Sequence, residues 1–320
     1  MSAVEKIKLG VIPTPLYRMN GLSAYLDREL YIKRDDMTGV SLGGNKVRKL
    51  EYLLADAKRQ GADYVLTTGG AQSNHAMLTA ACANKLGMKA ILVLKKRGVL
   101  EKQGNLLLDE ILGAEVRFVD SDSYSDVYER MHRIAAKLNS EGHKAYEIPV
   151  GGSVPLGALG YADCVKEISC QSKAMGVKLS TIVCACGSGG MAAGVTYGAK
   201  LYMPETLVVG VKVDDDDFEH IVPELVRGEQ KLLGHEVNFM DEEAHLIDMT
   251  GAGYAIPSKE GSEAIRIMAR TEGLILDPVY TGKAFAGMLK LIDEGKIKKD
   301  EPALFIHSGG AGGLFAIGLV

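Results

Sequence analysis

Gly43-Gly44-Asn45-Lys46-Val47-Arg48-Lys49 sets two lysines three positions apart at the start of a helical pattern. Residues at that spacing share one helix face. A helix N-terminus is a positive dipole end and a poor place for cations. Two readings stand level: side chains solvated on an exposed first turn, or cations placed to receive an anion.

Four further segments carry polar or glycine-rich chemistry. Cys186-Gly187-Ser188-Gly189-Gly190-Met191 follows an apolar run and opens a helical one. Successive backbone N–H groups there could curve round a phosphate at the helix N-terminus. A tight turn is the alternative, and neither the dinucleotide nor the Walker fingerprint is matched. Ala71-Gln72-Ser73-Asn74-His75 also joins strand to helix. Ser73 or Asn74 suits a helix cap, but a cap explains one polar residue and not four in a row. The last two segments are Asp277–Lys283, with Tyr280, and Phe305–Gly310, with Ser308. Taken singly, Tyr280 reads as a core aromatic and Ser308 as a cap.

The elements that must position these loops alternate. Strands are expected at Leu30–Arg34, Tyr64–Thr68, Ala90–Leu94, Glu115–Val119, Thr181–Ala185, Leu207–Val213 and Ala303–His307. Val47, Leu50, Leu53, Leu54 and Ala57 recur at helical spacing, giving about four turns with one apolar stripe. Leu106–Leu112, Val127–Leu138, Leu159–Met175 and Ala264–Thr271 behave likewise. Alternating β and α elements imply mostly parallel sheets covered by helices. Five glycine clusters fall at the handover from strand to helix, where open α/β sheets bind ligands. They are Ser41–Lys46, Thr67–His75, Gly151–Ser153, Cys186–Gly190 and Ser308–Gly313.

The 320 residues carry a net charge of −4 and no long basic run, which argues against nucleic acid as the main partner. Met1–Gly10 holds Glu5, Lys6 and Lys8 and no apolar core, so it does not read as a secretion signal. With no apolar run of membrane-spanning length, a soluble, cytoplasmic protein is expected. The five cysteines are odd in number and expected as free thiols, with Cys184 and Cys186 packed on one face of a strand. No His-x-x-x-His pair occurs and no metal site is expected. Asp214-Asp215-Asp216-Asp217 reads by default as a solvated loop.

Taken together, the segments resemble the fold-type II pyridoxal-phosphate enzymes, and most closely the D-cysteine desulfhydrase and 1-aminocyclopropane-1-carboxylate deaminase family. The similarity runs from Thr14-Pro15-Leu16 and Ile32–Asp36 through Gly43–Tyr52, Gln72–His75, Gly104–Leu108, Pro149–Ser153 and Gly157–Tyr161. It continues at Gly251–Tyr254, Asp277–Lys283 and Ile306–Gly310. The resemblance implies two open α/β domains with pyridoxal 5'-phosphate between them: a large domain of residues 1–48 and 156–320, and a small inserted one of 49–155. It implies that Lys46 carries the cofactor as a Schiff base and that Asn74 bonds its ring hydroxyl. Gly187, Ser188, Gly189 and Gly190, helped by Lys49, would cradle its phosphate, and Ser308 would face its pyridine nitrogen. Tyr280 and Tyr254 would lie near ring and substrate. Ser73 and Tyr280 would join Lys46 in catalysis, while Ser73, Asn74, His75, Tyr254 and Thr281 would meet the substrate. A homodimer is expected from the same resemblance.

The implied chemistry is loss of a β-substituent from a small amino acid. In the cyclopropane-opening deaminases a glutamate follows the tyrosine, whereas here Thr281 follows Tyr280. D-Cysteine desulfhydrase therefore ranks first, ahead of L-cysteate sulfo-lyase, then the deaminase, then a ligand-binding relative without turnover. This chain departs from the pattern at Met191, where relatives often have a hydroxyl residue, at Gly70-Ala71, and in the Asp214–Asp217 run.

Overall fold

The computed structural model describes residues 4–121 and 123–320. In chain order the first elements are β1 (Leu16–Arg18), α1 (Asn20–Leu26), β2 (Leu30–Arg34), α2 (Lys46–Arg59), β3 (Tyr64–Gly70), α3 (Asn74–Lys85) and β4 (Lys89–Lys95). Then come α4 (Gly104–Ile111), β5 (Glu115–Val119), α5 (Tyr124–Ser140), β6 (Ala145–Ile148), α6 (Pro155–Ala174), β7 (Thr181–Cys186) and α7 (Gly190–Tyr202). The chain closes with β8 (Leu207–Lys212), α8 (Phe218–Leu233), β9 (His245–Asp248), α9 (Lys259–Glu272), α10 (Thr281–Asp293), β10 (Ala303–His307) and α11 (Ala311–Ile317).

The described strands form two sheets. One has the order β1-β2-β10-β7-β8-β9, the other β5-β4-β3-β6. Every pairing is parallel except β1 with β2. The central strands β7 and β10 are buried along their whole length, as parallel strands covered by helices on both faces must be. All seven expected strands form, within a residue or two at their ends. The structure adds β1, β6 and β9, each of three or four residues and half exposed, too short for an apolar run to mark them.

Local chemistry sets the helices that matter for the site. In α2, Val47, Leu50, Leu53, Leu54 and Ala57 are buried as the stripe predicts, and Lys58 and Arg59 sit in the last turn, where the helix dipole favours cations. Ser73 caps α3, its Oγ accepting from the Ala76 N–H at 3.2 Å. Pro155 opens α6, a position where its missing N–H costs nothing. Among the described residues no helix is long and apolar enough to cross a membrane, and no group of three His, Cys, Asp or Glu side chains could hold a metal.

Candidate active site

The carboxyl ends of β3, β7, β8 and β10 converge on one cavity. It is lined by Asn45, Lys46, Ser73, Asn74, His75, Gly187, Ser188, Gly189, Tyr254, Tyr280 and Ser308, among others. All five glycine-rich loops reach it, the third through Gly151. Residues far apart in the chain are thus placed round one volume, where open α/β sheets bind ligands.

Lys46, the first residue of α2, points into this cavity. Burial lowers its ammonium pKa to about 8. The free amine, the nucleophilic form, is therefore a minor but substantial fraction, roughly one-tenth, at neutral pH. We expect attachment of pyridoxal phosphate to the cofactor-free protein to accelerate with pH and level off above about pH 8. Stopped-flow absorbance from neutral to strongly alkaline pH checks this. A midpoint at the ordinary lysine value of about 10.4 would contradict the buried setting.

Lys49 lies behind the glycine-rich loop and is fully buried. Its Nζ donates to the Gly151 carbonyl at 3.1 Å and to Ser153 Oγ at 3.0 Å. Ser153 Oγ in turn donates to Ser188 Oγ at 2.8 Å and accepts from the Gly190 N–H at 3.2 Å. The reading of a solvated first turn is overturned. Burial, then the neighbouring Lys46, pushes the Lys49 pKa well down, and an anion in the loop would restore its charge. Neither Lys49 nor Ser153 lines the cavity, so the expected help of Lys49 to a phosphate passes through Ser153 to Ser188, which does; Ser153 ended a glycine cluster in the sequence but was given no role there.

The loop fits a phosphate group. Gly189 has φ +79°, and a Cβ there would meet Ile221 Cγ2 at 2.6 Å. A Cβ on Gly190 would lie 2.5 Å from Lys49 Nζ and 2.7 Å from Ser153 Oγ. Only glycine keeps this backbone close to the Lys49 amine at the N-terminus of α7. Met191 lines the cavity, and its Sδ accepts from Asn45 Nδ2 at 3.6 Å.

Two of the expected substrate contacts change. His75 is buried, and its Nε2 meets Thr67 Oγ1 at 2.9 Å. Thr67 already gives its proton to the Ile148 carbonyl at 2.8 Å. Thr67 must therefore accept, which puts the imidazole proton on Nε2 and leaves Nδ1 a bare acceptor. Burial, with Lys46 and Lys49 nearby, lowers the pKa of this ring well below 6.5 and keeps it neutral. A neutral ring with Nδ1 unprotonated cannot donate to a substrate carboxylate, which leaves Ser73 as the donor of the two residues expected to hold that group. Its Oγ accepts from α3 and keeps its own proton to give to the cavity it lines.

Thr281 is the second. It is fully buried and is not among the cavity-lining residues. Its Oγ1 donates to Asp277 Oδ1 at 2.6 Å and accepts from the Asp277 N–H at 2.7 Å. The expected substrate contact is not made. The Asp277 carboxylate also takes the N–H groups of Val279, Tyr280 and Thr281 at 2.8–2.9 Å. Its oxygens are spent on starting α10 and orienting Tyr280.

Tyr254 and Tyr280 share a hydrogen bond of 2.7 Å between their hydroxyls. Burial raises the Tyr254 pKa to about 12 and that of Tyr280 further, so both phenols stay protonated. Lys283 secures the loop before Tyr254, donating to the carbonyls of Thr250 and Gly253 at 2.7 and 2.9 Å. Gly70 makes room for Tyr254, since a Cβ there would come within 3.0 Å of the ring.

The acidic run is not simply solvated. Asp214 is buried, and Asp214 and Asp216 both line the cavity with Tyr124. Arg97, which follows β4, bonds Asp214 Oδ1 at 3.2 Å and lies 4.8 Å from the Tyr254 ring centroid. The pair bridges loops from the two sheets, 117 positions apart, a link no local pattern reveals.

The pattern of a family described as "Pyridoxal-phosphate dependent enzyme" matches residues 7–309. The chain is 42% identical to a D-cysteine desulfhydrase of Serratia proteamaculans (strain 568), over 95% of this chain and 93% of that one. It is 40% identical to a putative 1-aminocyclopropane-1-carboxylate deaminase of Pyrococcus abyssi (strain GE5 / Orsay), over 99% and 95%. A solved structure titled as an ACC deaminase homologue superposes with TM-score 0.91 at 40% identity, covering 98% of this chain and 94% of that one. With the match spanning nearly its whole length, and with a buried lysine, a glycine cradle and Ser308 round one cavity, this chain belongs to the pyridoxal-phosphate dependent enzyme family.

Proposed function

We propose that the protein eliminates the thiol group of D-cysteine, converting D-cysteine and water to pyruvate, ammonia and hydrogen sulfide. The observation that carries this is the gathering of Lys46, Ser73, Asn74, Tyr280 and Ser308 in one cavity, with Lys46 near neutrality. Gly187–Gly190 would hold the phosphate, with Ser188 backed by Ser153 and Lys49, Asn74 the ring hydroxyl, and Ser308 the ring nitrogen. Pyridoxal phosphate, when bound, supplies the electron sink for the pair left at Cα. Ser73 Oγ donates to the substrate carboxylate. Lys46 Nζ, a free amine once the substrate has taken its place, accepts the Cα proton. A thiolate leaves without needing a proton, which agrees with two phenols that burial keeps from ionising.

The same cavity bears on the alternatives. A sulfonate substrate would face Asp214 and Asp216, and the nearby Arg97 is already paired with Asp214. That disfavours L-cysteate. Ring opening of aminocyclopropane-carboxylate is the second reading, because relatives of that name match as well as the desulfhydrases do. Against it stands Ser308, a neutral partner that does not enforce a protonated ring. The nearby carboxylate of Asp277 is occupied within its own turn. We also propose that residues 49–155 form the smaller domain; in support, all four strands of the smaller sheet lie between Tyr64 and Ile148.

The test is a substrate panel of D-cysteine, L-cysteine, β-chloro-D-alanine, L-cysteate, D-serine and aminocyclopropane-carboxylate, assayed for keto acid and sulfide. D-Cysteine should give both products in equal amounts. Its kcat/KM should exceed that of L-cysteate and of the cyclopropane by at least about tenfold, a barrier difference of roughly 1.4 kcal/mol. Ring opening as fast as D-cysteine turnover would overturn the ranking.

A further inference from the structure

Asn105, the second residue of α4, is fully buried. Its Nδ2 donates to the Gln72 carbonyl at 2.9 Å and to Asn74 Oδ1 at 2.7 Å. A backbone carbonyl only accepts, so the Asn105 atom facing it must be the amide nitrogen. That nitrogen only donates, so the Asn74 atom facing it must be oxygen. One fixed carbonyl thus settles the orientation of two side-chain amides. Asn74 Nδ2 is left on the other side of its planar amide, for the cavity that Asn74 lines.

Asn105 is itself pinned. Its N–H donates to Gln72 Oε1 at 2.8 Å. Gln72 Nε2 donates to the carbonyls of Val99 and Gln103 at 3.1 and 3.2 Å, which fixes the Gln72 amide by the same logic. On its far side Asn105 Oδ1 has no hydrogen-bond partner, and α11 closes against it. A Cβ on Gly312 would lie 2.1 Å from that oxygen. Asn105 therefore has little room to turn and one way to bond.

We propose that Asn105 is a positioning residue, which holds Asn74 so that its amide N–H, and not its carbonyl oxygen, meets the ring oxygen of the cofactor. The inference rests on the assignment of pyridoxal phosphate to this cavity. A donor at a phenolic oxygen favours the ionised form. Losing the fixed donor should raise the pH at which the visible band of the lysine-bound cofactor titrates and should weaken cofactor binding. The amide oxygen, if it turned into the cavity, would oppose the phenolate and add to both effects.

The experiment is Asn105→Leu, which removes the donor and leaves little room for a replacing water. The readouts are the titration midpoint of the visible band and the cofactor dissociation constant from equilibrium dialysis. A hydrogen bond to a charged group leads us to expect a midpoint about one pH unit higher and roughly tenfold weaker binding. In an Asn74→Ala background the same substitution should change neither quantity further. Gly312→Ala, which presses on Asn105 from α11, should act in the same direction, and it serves if Asn105→Leu does not fold by circular dichroism. A folded Asn105→Leu protein with the wild-type midpoint and affinity would overturn the proposal. So would a full additional effect in the Asn74→Ala background. Wild type without a visible band on adding pyridoxal phosphate would instead overturn the cofactor assignment beneath it.

Discussion

Lys46→Ala is expected to abolish the visible absorbance of the cofactor-loaded protein and to lower turnover by on the order of 10⁴-fold or more. On the proposed assignment two functions leave with one side chain: the amine that would hold the cofactor and the base that would take the Cα proton. The nearby Lys49 cannot replace it, because its Nζ is bound to Gly151 and Ser153 behind the loop. The fold should not suffer. Burial lowers the Lys46 pKa below its unfolded value, so its ammonium form destabilises the folded state fully below about pH 8 and not at all above the unfolded pKa. Removing the group should leave the melting temperature at neutral pH unchanged or higher. Spectroscopy, a keto-acid assay and thermal melting on one preparation separate lost chemistry from lost structure. A variant with its visible band intact would contradict the assignment.

Gly189→Asp should weaken cofactor binding on the order of 100-fold. Three effects add. A side chain at φ +79° is strained, its Cβ would press on Ile221 Cγ2 at 2.6 Å, and its carboxylate would line the cavity where the phosphate dianion is expected. Strain of about 1–2 kcal/mol with like-charge repulsion of similar size gives roughly 3 kcal/mol, or two powers of ten. Gly189→Ala keeps the strain and omits the charge, so it should lose about half of that free energy. Equilibrium dialysis against pyridoxal phosphate, with circular dichroism as a check on folding, measures both. Unchanged retention in Gly189→Asp would mean that the loop is only a turn.

The site residues legible in the sequence are those at strand-to-helix handovers. Ser73, Asn74, Gly187–Gly190 and Ser308 each follow a buried strand closely, Lys46 opens the helix after β2, and parallel topology brings such loops to one edge. Contacts made across the fold were not legible. Asp214 looked solvated because its partner Arg97 is 117 positions away. Asn105 lies inside a recognisable segment, yet its bearing on Asn74 depends on the Gln72 carbonyl. The proton position on His75 depends on the Ile148 carbonyl acting through Thr67. Thr281 is different: its bond to Asp277 spans four residues at the start of a helix, and the Asp-x-x-x-Thr spacing was a local signal for it. The short strands β1, β6 and β9 lack buried apolar runs, so their pairing and not their composition makes them strands.

The most direct test of the account is to locate the cofactor on the chain. The protein loaded with pyridoxal phosphate is reduced with borohydride, digested and mapped by mass spectrometry. We expect a single pyridoxyl group on the peptide that contains Lys46, and less of it when borohydride is added during turnover of excess D-cysteine. An adduct on Lys49, Lys283 or a surface lysine, or no adduct on a protein that still releases sulfide from D-cysteine, would contradict it.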